Sequence, residues 1–237
     1  MWVALGLRQS SFDDRETGDG TALQRRGRAG VLVSWSSDPR RRLILSFWAQ
    51  AWGLPGGYYG DSWAQVLVRP LPRLELDIQP SIVLTDGEPR FLSNDSTGQY
   101  VLGQLCARSV GVTVRASYSF TPRLTLQTYA QPFVAENHYH DYSTFSAGRT
   151  GPGAVIPLDR LVAGAGDGAA HDSKQASLNV NIVLRWEYRL GSTLFAVYSR
   201  SQSPAVASQP PGLDFQPLLR AHPSVDVFML KLSYWWN

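Results

Sequence analysis

Ser177-Leu178-Asn179-Val180-Asn181-Ile182-Val183-Leu184-Arg185-Trp186-Glu187-Tyr188-Arg189-Leu190 separates by parity. Leu178, Val180, Ile182, Leu184, Trp186, Tyr188 and Leu190 hold the even positions, while Ser177, Asn179, Asn181, Val183, Arg185, Glu187 and Arg189 hold the odd ones. Successive side chains of a strand point to opposite faces, so this segment has one apolar and one largely polar face; a helix, with its period of 3.6, would mix the two sets. The pattern recurs in Ser109–Phe120, where Val110, Val112, Val114, Ala116, Tyr118 and Phe120 oppose Gly111, Thr113, Arg115, Ser117 and Ser119. Leu76 and Ile78 oppose Glu75, Asp77 and Gln79, and Phe228, Leu230, Leu232, Tyr234 and Trp236 oppose Lys231 and Ser233.

Alternation of this kind predicts ten strands, near 2–10, 29–37, 42–52, 62–69, 74–83, 109–120, 124–134, 177–190, 194–203 and 225–236. Pro, Gly and Asp mark tight turns at 37–40, 69–73, 121–123 and 190–193. Between them the chain predicts long surface loops near 11–28, 53–61, 84–108, 135–176 and 204–224. Short and long links that alternate put all the short ones at one end of a sheet, as in transmembrane β-barrels.

A soluble β-sandwich also shows period-two strands. Three features favour the barrel. Strands of nine to fourteen residues exceed the usual five or six but suit a tilted span. Trp35, Tyr118, Phe120, Trp186, Tyr188, Tyr234 and Trp236 lie on the apolar parity close to a short turn or the C-terminus, forming an aromatic girdle, with Tyr58, Tyr59 and Trp63 assigned to a second one. The opposite parity carries Glu75, Asp77, Arg115, Arg185, Glu187 and Lys231, which a dry core would reject and an aqueous lumen accepts. The fold expected is all-β, an antiparallel transmembrane β-barrel with about ten strands present, making up part of one barrel domain over 1–237.

Composition narrows the remaining classes. Of 237 residues 43% are hydrophobic and only 17% charged, too apolar for a disordered chain, and the single Cys cannot form an internal disulfide. A net charge of +3 without a basic tract argues against a nucleic-acid partner. No run approaches the roughly 20 apolar residues of a membrane helix. Met1–Arg8 lacks the basic region and apolar length of a secretory signal.

Two strings carry a resemblance. Ser119-Phe120-Thr121-Pro122-Arg123-Leu124-Thr125-Leu126-Gln127-Thr128-Tyr129-Ala130-Gln131-Pro132-Phe133 and Val183-Leu184-Arg185-Trp186-Glu187-Tyr188-Arg189-Leu190-Gly191-Ser192-Thr193-Leu194-Phe195 resemble the C-terminal domain of a family of bacterial cell-envelope proteins. Phe228–Trp236 matches as well, with weaker echoes at Asp13-Asp14, Arg26-Gly27 and Ser37-Asp38-Pro39-Arg40. Proteins of that family begin with a domain like carbohydrate-binding module family nine and end in a domain of unknown function that looks like an outer-membrane barrel. The resemblance implies that this chain is the C-terminal portion of a longer protein in the bacterial outer membrane, its signal peptide on the preceding part. It implies partners in outer-membrane lipid, carbohydrate and the barrel-assembly machinery, the last through the aromatic ending Ser233-Tyr234-Trp235-Trp236-Asn237. The function expected is non-enzymatic: a cell-surface barrel segment that binds or passes carbohydrate. A rim-located hydrolase and a soluble sandwich binding module are the alternatives.

Within that frame Arg115, Arg185 and Glu187 either line an aqueous path or pair with Glu75, Asp77 and Lys231 to satisfy a plugged interior. The loop candidates are His138, Tyr139, His140 and Asp141, with His171 and Asp172 as further partners. Two His at i, i+2 share one side of an extended segment, which would suit a metal ligand pair or a general base. No Gly-x-Ser-x-Gly or His-Glu-x-x-His string accompanies them, so a solvated loop is expected, with no catalytic residue, metal or cofactor assigned. Gly164–Gly168 lacks a following Lys-Ser/Thr and reads as a flexible loop rather than a phosphate cradle.

Overall fold

A computed structural model describes residues 1–95, 97–164, 170–208, 212–219 and 224–236. Its strands in chain order are β1 (Trp2–Arg8), β2 (Ser11–Asp13), β3 (Ala22–Arg25), β4 (Arg28–Ser36) and β5 (Leu43–Leu54). Next come β6 (Gly57–Leu71), β7 (Leu74–Asn94), β8 (Gln99–Thr121), β9 (Leu124–Ser146) and β10 (Val155–Ile156). The last are β11 (Val162–Ala163), β12 (Ser173–Arg189), β13 (Ser192–Gln202) and β14 (Ser224–Ser233). Among the described residues the helical elements are a 3-10 turn, Leu158–Arg160, and α1 (Gln216–Leu219). The protein is all-β.

Ten strands make one antiparallel wall in the order β1-β4-β5-β6-β7-β8-β9-β12-β13-β14, with β11 added beside β9. These ten are the strands that alternation marks out. Turns at Pro72-Arg73, Pro122-Arg123 and Leu190-Gly191 link neighbours at one end. The wall does not close: β1 pairs only with β4 and β14 only with β13. A closed barrel is therefore not what the described residues form, and β1 and β14 are free edges of the kind that template further pairing.

Four loop expectations change, and the first is 11–28, which holds β2 and β3 and buries Leu23 because they pair into a small sheet of their own. The 53–61 connection is a tight turn at Pro55-Gly56, with Gly56 in the left-handed region (φ 79°) that a glycine enters without steric cost. Much of 84–108 and the first part of 135–176 are strand, since β7, β8 and β9 run on for 21, 23 and 23 residues. Alternation disappears there because bulges break the register between Thr85 and Glu88, between Phe91 and Ser93 and between Leu102 and Gln104, so parity no longer tracks one face. Residues 165–169, 209–211, 220–223 and Asn237, which include most of the glycine-rich stretch and part of the 204–224 loop, lie outside the described residues.

A cap sits on those extensions. β2, β3 and β10 form a small three-stranded sheet, with β3 antiparallel to β2 and parallel to β10. Leu23, Tyr100, Leu102 and Ile156 form its core, flanked by Phe91, Phe145 and Leu158. The Tyr100 hydroxyl donates to Asp19 (2.5 Å) and lies 2.9 Å from the Thr21 hydroxyl. Burial works to raise the Asp19 pKa, but hydrogen bonds from Tyr100, Thr21 and Thr17 outweigh it and hold the carboxyl at about 2. Arg25 of β3 is ion-paired with Glu16, Asp13 and Glu88, and donates to the Pro89 carbonyl, which clips the cap to β7.

Candidate functional site

Register fixes which residues share a face of the wall. One parity aligns Leu76 with Ala116, Ile78 with Val114 and Ile82 with Val110, then continues through Ala130 and Leu126 to Val180, Leu184, Ala196 and Leu230. Ile78, Ile82 and Leu230 of this row are 39%, 38% and 73% exposed, while Val110, Val114, Ala116, Val180 and Leu184 are half-buried. On β5, Leu43, Leu45, Phe47 and Ala51 are exposed whereas Ile44, Ser46, Trp48 and Gln50 on the other parity are not. We call the apolar parity the convex face, and the parity of Glu75, Asp77 and Arg115 the concave face.

The convex band has a constant depth. Leu74–Leu84, Val110–Phe120 and Leu124–Val134 each span eleven residues. At about 3.3 Å per residue this is about 33 Å along the strand. Directly beyond it the same parity turns polar, with Arg108 opposite Glu136 and Glu136 opposite Lys174. At the other end Arg73, Arg123 and Arg189 occupy or adjoin the short turns.

All seven predicted girdle aromatics lie near that second end. Trp35 faces Phe47 (ring centroids 6.1 Å apart), and Tyr118–Phe120, Trp186–Tyr188 and Tyr234–Trp236 form neighbouring pairs at 4.7, 6.0 and 6.0 Å. The second girdle is not assembled as expected. Tyr58 lies on the convex parity, but Tyr59 and Trp63 pair with Trp52 and Trp48 on the concave one, because strand residues an odd number apart take opposite faces.

The concave face carries a hydrogen-bonded polar belt. Asp77 accepts from Gln65 (3.0 Å) and Gln79 (2.8 Å), and Arg115 lies 3.8 Å from it. The Arg115 guanidinium stacks over Tyr129 at 5.6 Å, and the Tyr129 hydroxyl donates to Gln131 at 2.7 Å. Farther along, Asn181 donates to Ser199 at 2.7 Å. A groove of about 340 Å³ runs between Glu75, Asp77, Arg115, Gln127, Tyr129 and Asn181. Of the six predicted concave-face charges, Asp77 and Arg115 meet. Glu75 instead pairs with Arg69 at 2.7 Å; Arg185 and Lys231 flank Phe195 in one row; and Glu187 accepts the Gly191 amide in its turn. The neutral members Gln65, Gln79, Tyr129 and Asn181 escape a search for charges, although each shares its parity with a charged neighbour in sequence or register.

The histidines stand above the convex band, on β9. His138 Nδ1 is 2.7 Å from Asp172, whose other oxygen accepts the Tyr139 amide at 2.9 Å. His140 lies between Asp86 at Nε2 and Asp141 at Nδ1, both 3.1 Å away. Burial acts to lower the His140 pKa, but the hydrogen bonds to Asp86 and Asp141 prevail and raise it. Asp141 adopts a left-handed backbone (φ 47°) where the β8–β9 register slips. The two rings are roughly parallel, 6.3 Å apart. It is Asp172, not His171, that the fold brings to His138. Each imidazole is engaged by carboxylates, and among the described residues no group of three or more His, Cys, Asp or Glu converges to hold a metal.

No curated protein and no solved structure matches the chain. A family model does: residues 4–236, nearly its whole length, match the family described as Domain of unknown function (DUF5916), and the chain belongs to that family.

Proposed function

We propose that this chain is a section of an outer-membrane β-barrel wall, its convex face in lipid and its concave face in water, within a cell-surface protein that binds or passes carbohydrate. The observation that carries the reading is the convex band: apolar across the wall, half-buried to exposed, eleven residues deep on β7, β8 and β9 and bounded by charge at both ends. At the tilt of a barrel strand that length matches the hydrocarbon layer. A soluble sandwich would lay a second sheet over that face. Among the described residues the clearest cover is Val206, Leu213 and Leu218, which pack at its rim against Val110, Val134, Ala176 and Leu178. Free edges at β1 and β14 agree with a wall that continues into further strands. Carbohydrate fits the concave groove, whose carboxylate, guanidinium, amides and tyrosine offer the mixed donors and acceptors that sugar hydroxyls use. Tyr234, Trp235 and Trp236, which follow β14, are residue types that suit recognition by the barrel-assembly machinery.

Expression in a Gram-negative host with a secretory signal tests this reading. The outcome expected is recovery in outer-membrane fractions and faster migration of the unboiled protein on a denaturing gel. A monodisperse product that is folded in buffer without detergent contradicts it.

A further inference from the structure

Arg8 and Arg28 are directly opposite one another across the β1–β4 ladder. Like charges in that position repel, and the arrangement persists only where something compensates it. Both guanidiniums lie over the Trp52 ring, at 4.9 and 5.5 Å, and Arg28 also approaches Tyr59 at 5.7 Å. Trp52 itself is buried, its Nε1 donating to Gln50 at 2.8 Å. Its ring lies flat because Gly6 and Gly30 face it; a Cβ on either would overlap the indole.

The nearby carboxylates are already engaged. Glu16 and Glu88 pair with both Arg25 and Arg90, and Asp13 pairs with Arg25. Arg26 donates to the Pro55 carbonyl. Among the described residues Arg8 and Arg28 have neither a carboxylate nor a carbonyl partner. They line a cavity of about 280 Å³ together with Arg25, Arg26, Arg90, Asp13 and Glu88, so that, counting Glu16 paired with Arg25 and Arg90, five cations meet three anions. Burial chiefly lowers the Arg25 pKa, with Arg90 and Arg28 adding to the effect and Glu88 and Asp13 opposing it.

We propose that Arg8 and Arg28, held on Trp52, form a binding site for an oxyanion, the phosphate or carboxylate group of a solute reaching the concave face. Two forks on neighbouring strands offer parallel N–H donors to such a group, and bidentate guanidinium contacts to oxyanions are among the stronger hydrogen bonds proteins make. The site goes beyond the membrane reading and does not depend on it, because its residues share one face of the adjacent strands β1, β4 and β5.

The test is calorimetric titration of the folded 237-residue chain with inorganic phosphate, with trigalacturonate and with a neutral galactose trisaccharide. Binding of phosphate or trigalacturonate, not of the neutral sugar, is expected, and whichever anion binds identifies the source of the oxyanion. Arg8→Gln and Arg28→Gln should each weaken that binding roughly tenfold or more while leaving the thermal midpoint of the anion-free protein unchanged or raised, since repulsion is relieved. Failure of both anions to bind, or equal affinity for the neutral sugar, overturns the proposal. So does a lowered midpoint with anion affinity intact, which would make the arginines packing elements of Trp52. Loss of membrane insertion alone would contradict only the lipid-facing reading.

Discussion

In the cap, Leu23, Tyr100, Leu102 and Ile156 are wholly removed from solvent, whereas in the wall Leu5, Phe228, Leu230 and Leu232 remain 66–88% exposed. One chain thus uses apolar residues in two opposite ways. The cap hides them behind three short strands and satisfies its polar atoms at Asp19, Thr21 and Tyr100, as a small water-soluble core does. The wall turns them outward and keeps its polar belt on the concave side. The cap closes over its apolar side chains, whereas on β1 and β14 of the wall they lie uncovered.

The largest effect that would sharpen this contrast is a cavity in the cap. Leu102→Ala should cost about 2–5 kcal/mol of cap stability, read by hydrogen exchange at β3 and the end of β8, whereas Leu230→Ala in the wall should cost about 1 kcal/mol or less. Equal costs would erase the distinction. Removing the Tyr100 hydroxyl by Tyr100→Phe should cost about 1–3 kcal/mol, because Asp19 loses its closest donor. The same pair gives the cap an acid limit. Asp19 is held at about 2, below its ordinary value of 3.8, so its contribution is complete above about pH 4 and is lost as pH falls through about 2. Limited proteolysis across that window should cut the 14–22 segment at low pH, with Asp19→Asn abolishing the pH dependence.

A smaller effect of opposite sign belongs to His140. Its pKa is raised, so its pairing with Asp86 and Asp141 contributes fully below the ordinary histidine value near 6.5 and fades as pH rises through the elevated folded-state value. Exchange of the β8–β9 extension amides should quicken slightly on that alkaline side, and His140→Gln should remove the change.

The wall was legible in the sequence because each of its strands has a single apolar face, so parity alone locates Leu178–Trp186 or Val110–Tyr118. The cap was not. Tyr100, Val101 and Leu102 are consecutive apolar residues on a bulged strand, and their partners Leu23 and Ile156 come from short strands far away in sequence. Part of the candidate site was legible: Asp77 and Arg115 lie on the polar parity and meet across β7 and β8. Arg8, Arg28 and Trp52 became a site only through register, since nothing in Gly6 or Gly30 announces that an indole will lie across them.

The central claim is that the convex parity of the wall meets lipid and the concave parity meets water. Spin labels placed singly at positions 104–118 of β8, with Cys106 replaced by Ser except where it is itself the labelled position, test it in liposomes through relaxation by oxygen and by a water-soluble nickel chelate. The account predicts period-two alternation over Val110–Tyr118, with even positions favouring oxygen and odd positions the chelate, and loss of that alternation from Arg108 towards Gln104. Equal access of the chelate to both parities, or alternation of the opposite sign, would contradict it.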